Sequence, residues 1–372
     1  MVDRLPISGV DGHGERQLFL ATAVATRRER YVALAIASFF LLAFIAIAPF
    51  AGVPLAKVPA FIPSYETALF FIDLITAALL FDQFIRFRSI GLLALACGYL
   101  FDALIIVPHA LTFPGAFAPE GLFGAGPQTT AWLYVFWHGV FPLFVMAYAV
   151  LRRSERGGNP RPVGRTRWAV AGAVVGVAAL AAALSLIAVS GHDLLPVLIR
   201  GGDYSLAVTK GITPAVWALT LLALISLWRR QPRVIDLWLM LVMWIWLFDI
   251  ALSAVIGTSR FDLGWYAGRI FGSIAASFLL IALLIEMARM HAGALGAAAR
   301  AEKRLDELAH PRAYSDDPQP PRKGTEAFIQ RQNIANYRSL LESGQRDDAQ
   351  RRAIETLLSE EEAKPGPSPR RD

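Results

Sequence analysis

Blocks of about twenty apolar residues alternate with short polar stretches from Tyr31 to Met287. Each block is long enough for a helix to cross a bilayer core of ~30 Å. Eight spans follow, at Tyr31 to Phe50, Thr67 to Ile85, Ser89 to Pro108, Ala131 to Leu151, Trp168 to Ser190, Ile212 to Trp228, Val234 to Gly257 and Trp265 to Met287. The predicted fold class is an all-α polytopic membrane helix bundle. The first span follows Arg27, Arg28 and Arg30, and its apolar core exceeds the h-region of a signal peptide, so it reads as an uncleaved anchor.

The loops set the orientation. One set holds Arg86 and Arg88, then Arg152, Arg153, Arg156, Arg161, Arg165 and Arg167, then Arg229, Arg230 and Arg233; the alternate set holds only Lys57, Arg200, Lys210 and Arg260. Positive charge favours the cytoplasmic side, which puts residues 1–30 and the C-terminus in the cytoplasm. Trp132, Trp168, Trp228, Trp265 and Tyr266 lie at span ends, as interfacial aromatic residues do. Composition agrees: 55% of the 372 residues are hydrophobic and 18% charged, too apolar for a soluble chain of this length. The net charge of +6 is explained by the loop arginines, so no nucleic-acid partner is inferred and membrane lipids are the expected surroundings. With one cysteine, Cys97, neither a disulfide framework nor a cysteine metal cluster is available.

Two outer connections are richer than simple turns. His109 to Gly124 carries prolines, glycines and phenylalanines, the composition of a structured turn packed on the membrane surface. His192 to Gly211 mixes apolar and polar residues; either segment is a lid or recognition loop, or else an interfacial connector. After Met287 the charges are dense and balanced. The predicted order there is a signalling helix at 288–310, a Pro-rich linker at 311–324, a helical hairpin at 325–364 and a disordered tail at 365–372. Asp347 and Gln350 form a capping pair for the second hairpin helix.

Against this apolar background five ionisable residues stand out inside spans: Asp73, Asp102, His138, Asp249 and Arg269. A charge in hydrocarbon costs several kcal/mol unless paired or wetted, which marks such groups as functional candidates. Counting about six to eight residues from the outer span ends puts the first four about 9 to 12 Å deep, with Arg269 shallower. One layer facing outward could hold all five and coordinate a small polar ligand or ion; alternatively Asp249 or Asp102 pairs with Arg269 and only fixes a helix contact. Protonation of His138 near neutral pH would alter the charge of the layer. Pro142, four residues on, bends the same span. Asp82 and Arg86 form an i,i+4 pair at the inner interface. With His138 the only deep histidine, haem has no second ligand at matching depth, and no Walker loop, zinc motif or nucleophile elbow occurs; no metal, cofactor or catalytic residue is expected. Arg200-Gly-Gly-Asp-Tyr-Ser has the look of a cyclase signature but lies between two spans with no nucleotide domain around it.

Several stretches together resemble the MASE4 family of membrane-associated sensor domains. They are Phe71-Ile-Asp-Leu-Ile-Thr-Ala-Ala-Leu-Leu-Phe81, Leu95-Ala-Cys-Gly-Tyr-Leu-Phe101, Leu111-Thr-Phe-Pro-Gly115, Gln128-Thr-Thr-Ala-Trp132, Phe136-Trp-His-Gly-Val-Phe-Pro142 and Phe261-Asp-Leu-Gly-Trp-Tyr-Ala-Gly-Arg269. The resemblance implies a bacterial inner-membrane sensor domain of the kind that precedes diguanylate cyclase or histidine kinase domains. The tail here departs from that plan: it carries no cyclase, phosphodiesterase, phosphoacceptor or ATP-binding box, and Pro311 follows His310. The expectation is a non-enzymatic sensory module whose helical tail engages a separate cytoplasmic signalling protein or a second copy of itself. A transporter or ion-coupled carrier using the same Asp and His residues is the alternative, though no pair of interrupted spans marks a central substrate site.

Overall fold

The structure is a computed structural model that describes residues 23–154, 163–191, 194–200, 203–205, 211–228, 232–257, 259–309, 323–342 and 348–363. Most of the N-terminal segment, most of the linker at 311–324, the Asp347 cap, His310 and the tail at 365–372 lie outside the described residues, as do His192 and the two glycines after Arg200. The described chain is helical except for one two-residue strand pair. In order the elements are α1 (Arg27–Ile47, extended by a 3-10 turn at Ala48–Phe50), α2 (Phe61–Phe87), α3 (Ile90–Thr112), α4 (Thr129–Ser154), α5 (Val163–Ser190), β1 (Ile199–Arg200), β2 (Asp203–Tyr204), α6 (Thr213–Leu227), α7 (Val234–Ile250), α8 (Leu263–Ala309), α9 (Lys323–Glu342) and α10 (Asp348–Glu362).

Polar caps start these helices where the apolar blocks begin. Thr26 and Glu29 form a capping box on α1, with the Glu29 amide donating to Thr26 Oγ1 at 3.2 Å and the Thr26 amide to Glu29 Oε2 at 2.8 Å. Ser89 caps α3, and Asp262 caps α8 by accepting from the Trp265 amide at 2.7 Å. Arg88 takes the left-handed conformation (φ 58°) that ends α2 and turns the chain straight into α3.

Among the described residues seven helices are long and apolar enough to cross a bilayer. The eighth expected span is α6, which has 15 residues, short of the length that spans ~30 Å. Pro214 at its start fixes where it begins, and α6 packs on α4 and α7. Burial ranks the helices: 72% of the apolar window of α3 and 78% of that of α7 lie inside the bundle, against 11% for α1 and for α5. α3 and α7 are therefore central posts, and α1 and α5 present their side chains outward, as lipid-facing helices do.

Two indole donors in the apolar region find backbone acceptors, as a medium without water demands. Trp244 Nε1 donates to the Ala37 carbonyl of α1 at 3.2 Å, and Trp217 Nε1 to the Leu247 carbonyl at 3.0 Å, tying α1 and α6 to α7. Cys97 is a buried free thiol among the apolar side chains of α3. Asp82 and Arg86 make their expected i,i+4 pair at 2.6 Å, half exposed.

The connection after α3 is ordered by its glycines. Gly115, Gly121 and Gly124 have positive φ, and a Cβ on Gly121 would overlap the Thr112 carbonyl. This fold-back seats Phe113 in an aromatic cluster with Phe61, Phe261, Trp265 and Ile62. The segment after α1 runs beside the start of α8, where the amides of Leu263 and Gly264 donate to the carbonyls of Val53 and Ala51. Gln128 holds the β1 strand onto α4, accepting from the amides of Leu198 (2.7 Å) and Ile199 (2.9 Å).

At the opposite end of the bundle a buried ion pair joins α4 to α7. Arg152 pairs with Asp236, and the Tyr148 hydroxyl donates to the same carboxylate oxygen at 2.6 Å. Asp236 also caps its own helix by accepting from the Arg233 amide at 3.0 Å. Residues up to Gly293 form one compact unit and residues from Ala294 a second. In the second, α9 packs on α10, with Gln330 Nε2 donating to the Glu361 carbonyl at 2.9 Å and Arg338 paired to Glu362 at 2.7 Å.

Removing one member of the Arg152–Asp236 pair leaves a charge buried without compensation. Arg152→Ala is expected to destabilise the detergent-solubilised protein by about 3–5 kcal/mol, whereas Arg338→Ala, at an exposed pair, changes it by about 1 kcal/mol or less. Thermal unfolding of the two variants side by side checks the contrast.

Candidate functional site

Four of the five ionisable residues picked out in the spans meet. Asp73 of α2, Asp102 of α3, His138 of α4 and Asp249 of α7 line one cavity of about 10 Å³, with Gly272 of α8 also in its wall. That volume holds about one water molecule. All four side chains are at most 3% exposed.

His138 and Asp249 form the best defined contact. Nδ1 of the imidazole lies 3.0 Å from the Tyr134 carbonyl, which can only accept, so Nδ1 carries a proton. Nε2 then faces Asp249 Oδ2 at 3.6 Å, longer than a hydrogen bond. Aromatic rings enclose the imidazole: Tyr134 stacks on it at 3.9 Å and Trp246 lies at 4.9 Å.

Asp249 is also held by α8. A Cβ on Gly268 would stand 2.6 Å from Asp249 Oδ1, and one on Gly272 would stand 3.0 Å from Oδ2. The spacing Gly264, Gly268, Gly272, Ala276 clears one stripe of α8, into which the acid fits. Two residues after Asp249, α7 widens into a π-helical segment at Ala251–Ile256. Within it, Ser253 Oγ donates to the Asp249 carbonyl at 2.7 Å and lies 3.1 Å from the Tyr134 hydroxyl.

On the α2–α3 side the cavity is underbonded. Asp102 Oδ1, the Tyr99 hydroxyl and the Trp137 indole N–H are buried without a well-formed hydrogen bond in the chain, although Trp137 lies within reach of Asp102. Unpaired polar atoms beside a space of water size are where a bound water or small ligand atom completes the bonding.

Arg269 lies apart from these acids. It lines a neighbouring cavity of about 40 Å³, which the expected topology puts on the outer side, together with Tyr134, Tyr204, Ser253, Arg260 and Trp265. Its Nη1 donates to the Trp265 carbonyl at 3.0 Å, and its guanidinium lies over the Trp265 ring at 4.0 Å and the Tyr134 ring at 5.6 Å. The alternative in which Asp249 or Asp102 pairs with Arg269 is not what forms. Tyr134 stands between the two cavities, touching His138 on one side and Arg269 on the other.

A second buried pair was not singled out from the sequence. Glu66 of α2 and His109 of α3 meet at 2.6 Å, both nearly fully buried. Both fell at span ends when spans were drawn by hydropathy, but α2 starts at Phe61 and encloses Glu66. The pattern that exposes them is spacing: Glu66 lies seven residues before Asp73, and His109 seven after Asp102. Two helical turns keep each pair on one face, and antiparallel α2 and α3 bring the faces together. A further buried bond, Gln83 Nε2 to Glu286 Oε2 at 2.5 Å, links α2 to α8 farther along. Among the described residues no group of three or more His, Cys, Asp or Glu side chains could hold a metal ion.

The model of one known family matches residues 56–291, and its description reads "Membrane-associated sensor, integral membrane domain". The chain belongs to the MASE4 family. No curated protein and no solved structure matches it. The MASE4 match takes in both cavities and α2 to α7, and it leaves out α1, α9 and α10. This assignment makes the bundle a membrane-embedded sensor domain.

The notch on α8 is open to test. Gly268→Val is expected to destabilise the protein by about 1–3 kcal/mol, because the new side chain meets the Asp249 carboxylate and carbonyl. Gly172→Val, on the open surface of α5 with nothing within 4 Å, is expected to be neutral. Thermal melting in detergent or nanodiscs distinguishes the two.

Proposed function

We propose that this chain is a sensory module. It detects a stimulus from outside the cell or from within the membrane at the layer formed by Asp73, Asp102, His138 and Asp249, with Arg269 in the neighbouring cavity. The change passes along α8 to the cytoplasmic tail, which engages a separate signalling protein or a second copy of the chain. One observation carries this reading: the Asp249 carboxylate sits in the Gly268–Gly272 notch of α8, and α8 runs on as one helix to Ala309. Any change in the protonation or ligation of the Asp249–His138 contact alters what α8 packs against. Packed helix interfaces shift between discrete arrangements, which suits a switch.

The arrangement of positive loops supports a cytoplasmic location for both ends in a bacterial inner membrane, with α6 counted as the short sixth crossing. The balanced charges and paired helices of the tail suit docking to a protein surface rather than to the membrane. On this reading the chain binds and relays, and chemistry belongs to the partner.

The test is co-purification of the full-length protein from its native membrane. A cytoplasmic partner, or a second copy of the chain, is expected to be recovered with the wild type, and Asp249→Asn and His138→Ala are expected to change the recovered amount several-fold at equal folded protein. If nothing is recovered with the wild type, and both variants match it in every signalling readout, the reading fails.

A further inference from the structure

Among the described residues, two arginines and no Asp or Glu line the outer cavity. Arg269 is 7% exposed, and Arg260 is half-buried at the same cavity. Arg260 Nη2 donates to Thr130 Oγ1 at 2.6 Å, and its guanidinium lies over the Phe113 ring at 5.1 Å. Among the described residues neither arginine forms an ion pair. The acids around them are committed elsewhere: Asp262 caps α8, Glu66 takes the His109 ring, and Asp249 faces His138. Burying a guanidinium without a counter-anion costs several kcal/mol, and a second cation in the same space raises that cost. Burial holds the Arg260 guanidinium below its ordinary value, at about 10, with the charge of Arg269 acting in the same direction and Tyr204 opposing it. Arg260 stays charged at neutral pH, and with the Arg269 guanidinium beside it the cavity is electropositive.

The walls narrow the chemistry of what fits. The planar fork of a guanidinium matches a carboxylate in two parallel hydrogen bonds. Thr130, Tyr134 and Ser253 add hydroxyls, while Phe113, Leu198 and Trp265 give an apolar side. A space of about 40 Å³ takes a few atoms beyond water size. From this geometry we infer that the cavity binds an organic monocarboxylate, its head between Arg269 and Arg260 and its short apolar or aromatic body against Phe113, Leu198 and Trp265. The carboxylate comes either from a small acid in the water outside or from an ionised fatty acid in the outer leaflet.

Occupancy would reach the sensing layer through one side chain. Tyr134 stands under the Arg269 guanidinium, stacks on His138 and is hydrogen-bonded to Ser253, which holds the Asp249 carbonyl. This consequence rests on the sensing function proposed above, whereas binding does not. A failure to bind would leave partner recovery untouched, and a failure of partner recovery would leave binding untouched.

The experiment uses full-length protein in nanodiscs of zwitterionic lipid, titrated with benzoate, decanoate and benzamide, with binding read by calorimetry and tryptophan fluorescence. Benzoate, or decanoate if the source is the bilayer, is expected to saturate and to bind at least about tenfold more tightly than neutral benzamide. Arg269→Gln is expected to weaken the acid by about tenfold or more, with a smaller loss for Arg260→Gln and partial recovery in Arg269→Lys. Melting curves establish that each variant is folded. If Arg269→Gln does not fold, the comparison of acid with amide on the wild type and the half-buried Arg260→Gln decide. Equal binding of acid and amide, no saturable binding of either acid, or wild-type affinity in folded arginine variants would overturn the assignment.

Discussion

An ionisable side chain inside a bilayer has to be matched by a partner, a proton or a water molecule, and this structure is arranged around that requirement. Glu66 meets His109, Asp236 meets Arg152, Glu286 accepts from Gln83, and Asp249 faces His138. In the first three a short bond closes the contact between the two groups, although Glu66 Oε2 and Gln83 Oε1 are left without a partner. The last is open: at 3.6 Å it is longer than a hydrogen bond, and Nδ1 already donates elsewhere. Asp73 and Asp102 beside it add carboxyl groups and no cation. The closed pairs fix the bundle, and the open one is where a change in surroundings is felt.

The closed pairs also decide which helices can move against which. Arg152–Asp236 clamps α4 to α7 at one end, and Glu66–His109 clamps α2 to α3 at the other. Between α7 and α8 the contact at this level is a carboxylate laid into a glycine stripe, with no cation to lock it. Small residues let the helices approach closely, and the same closeness makes their spacing sensitive to one group in the gap.

The helical blocks were legible from hydropathy alone, because a run of twenty apolar residues has few other solutions. The four residues of the inner cavity were legible for a related reason: an ionisable group deep in such a run must face inward. The cavity to which Arg269 belongs was not legible. Neighbouring residues on a helix point about 100° apart, so Arg269 and the Gly268 beside it look in different directions. Only the packing of α7 and α4 tells which of them sees Asp249. Glu66 and His109 escaped because hydropathy windows draw helix ends too far inward, although their seven-residue spacing from Asp73 and Asp102 was there to read. α6 came out shorter than its apolar block because Pro214 starts the helix and Trp228 leaves helical geometry.

The brevity of α6 bears on the lipid as much as on the protein. Fifteen residues rise about 22 Å, roughly 8 Å less than the hydrocarbon they would cross. Lipid beside such a helix is compressed, or headgroups and water descend to its ends. Thr213, the first residue of α6, belongs to the wall of the outer cavity. A dimple in the bilayer at this point would bring hydration to the arginines, and any treatment that thickens or stiffens the membrane would act as a mechanical load on the same spot.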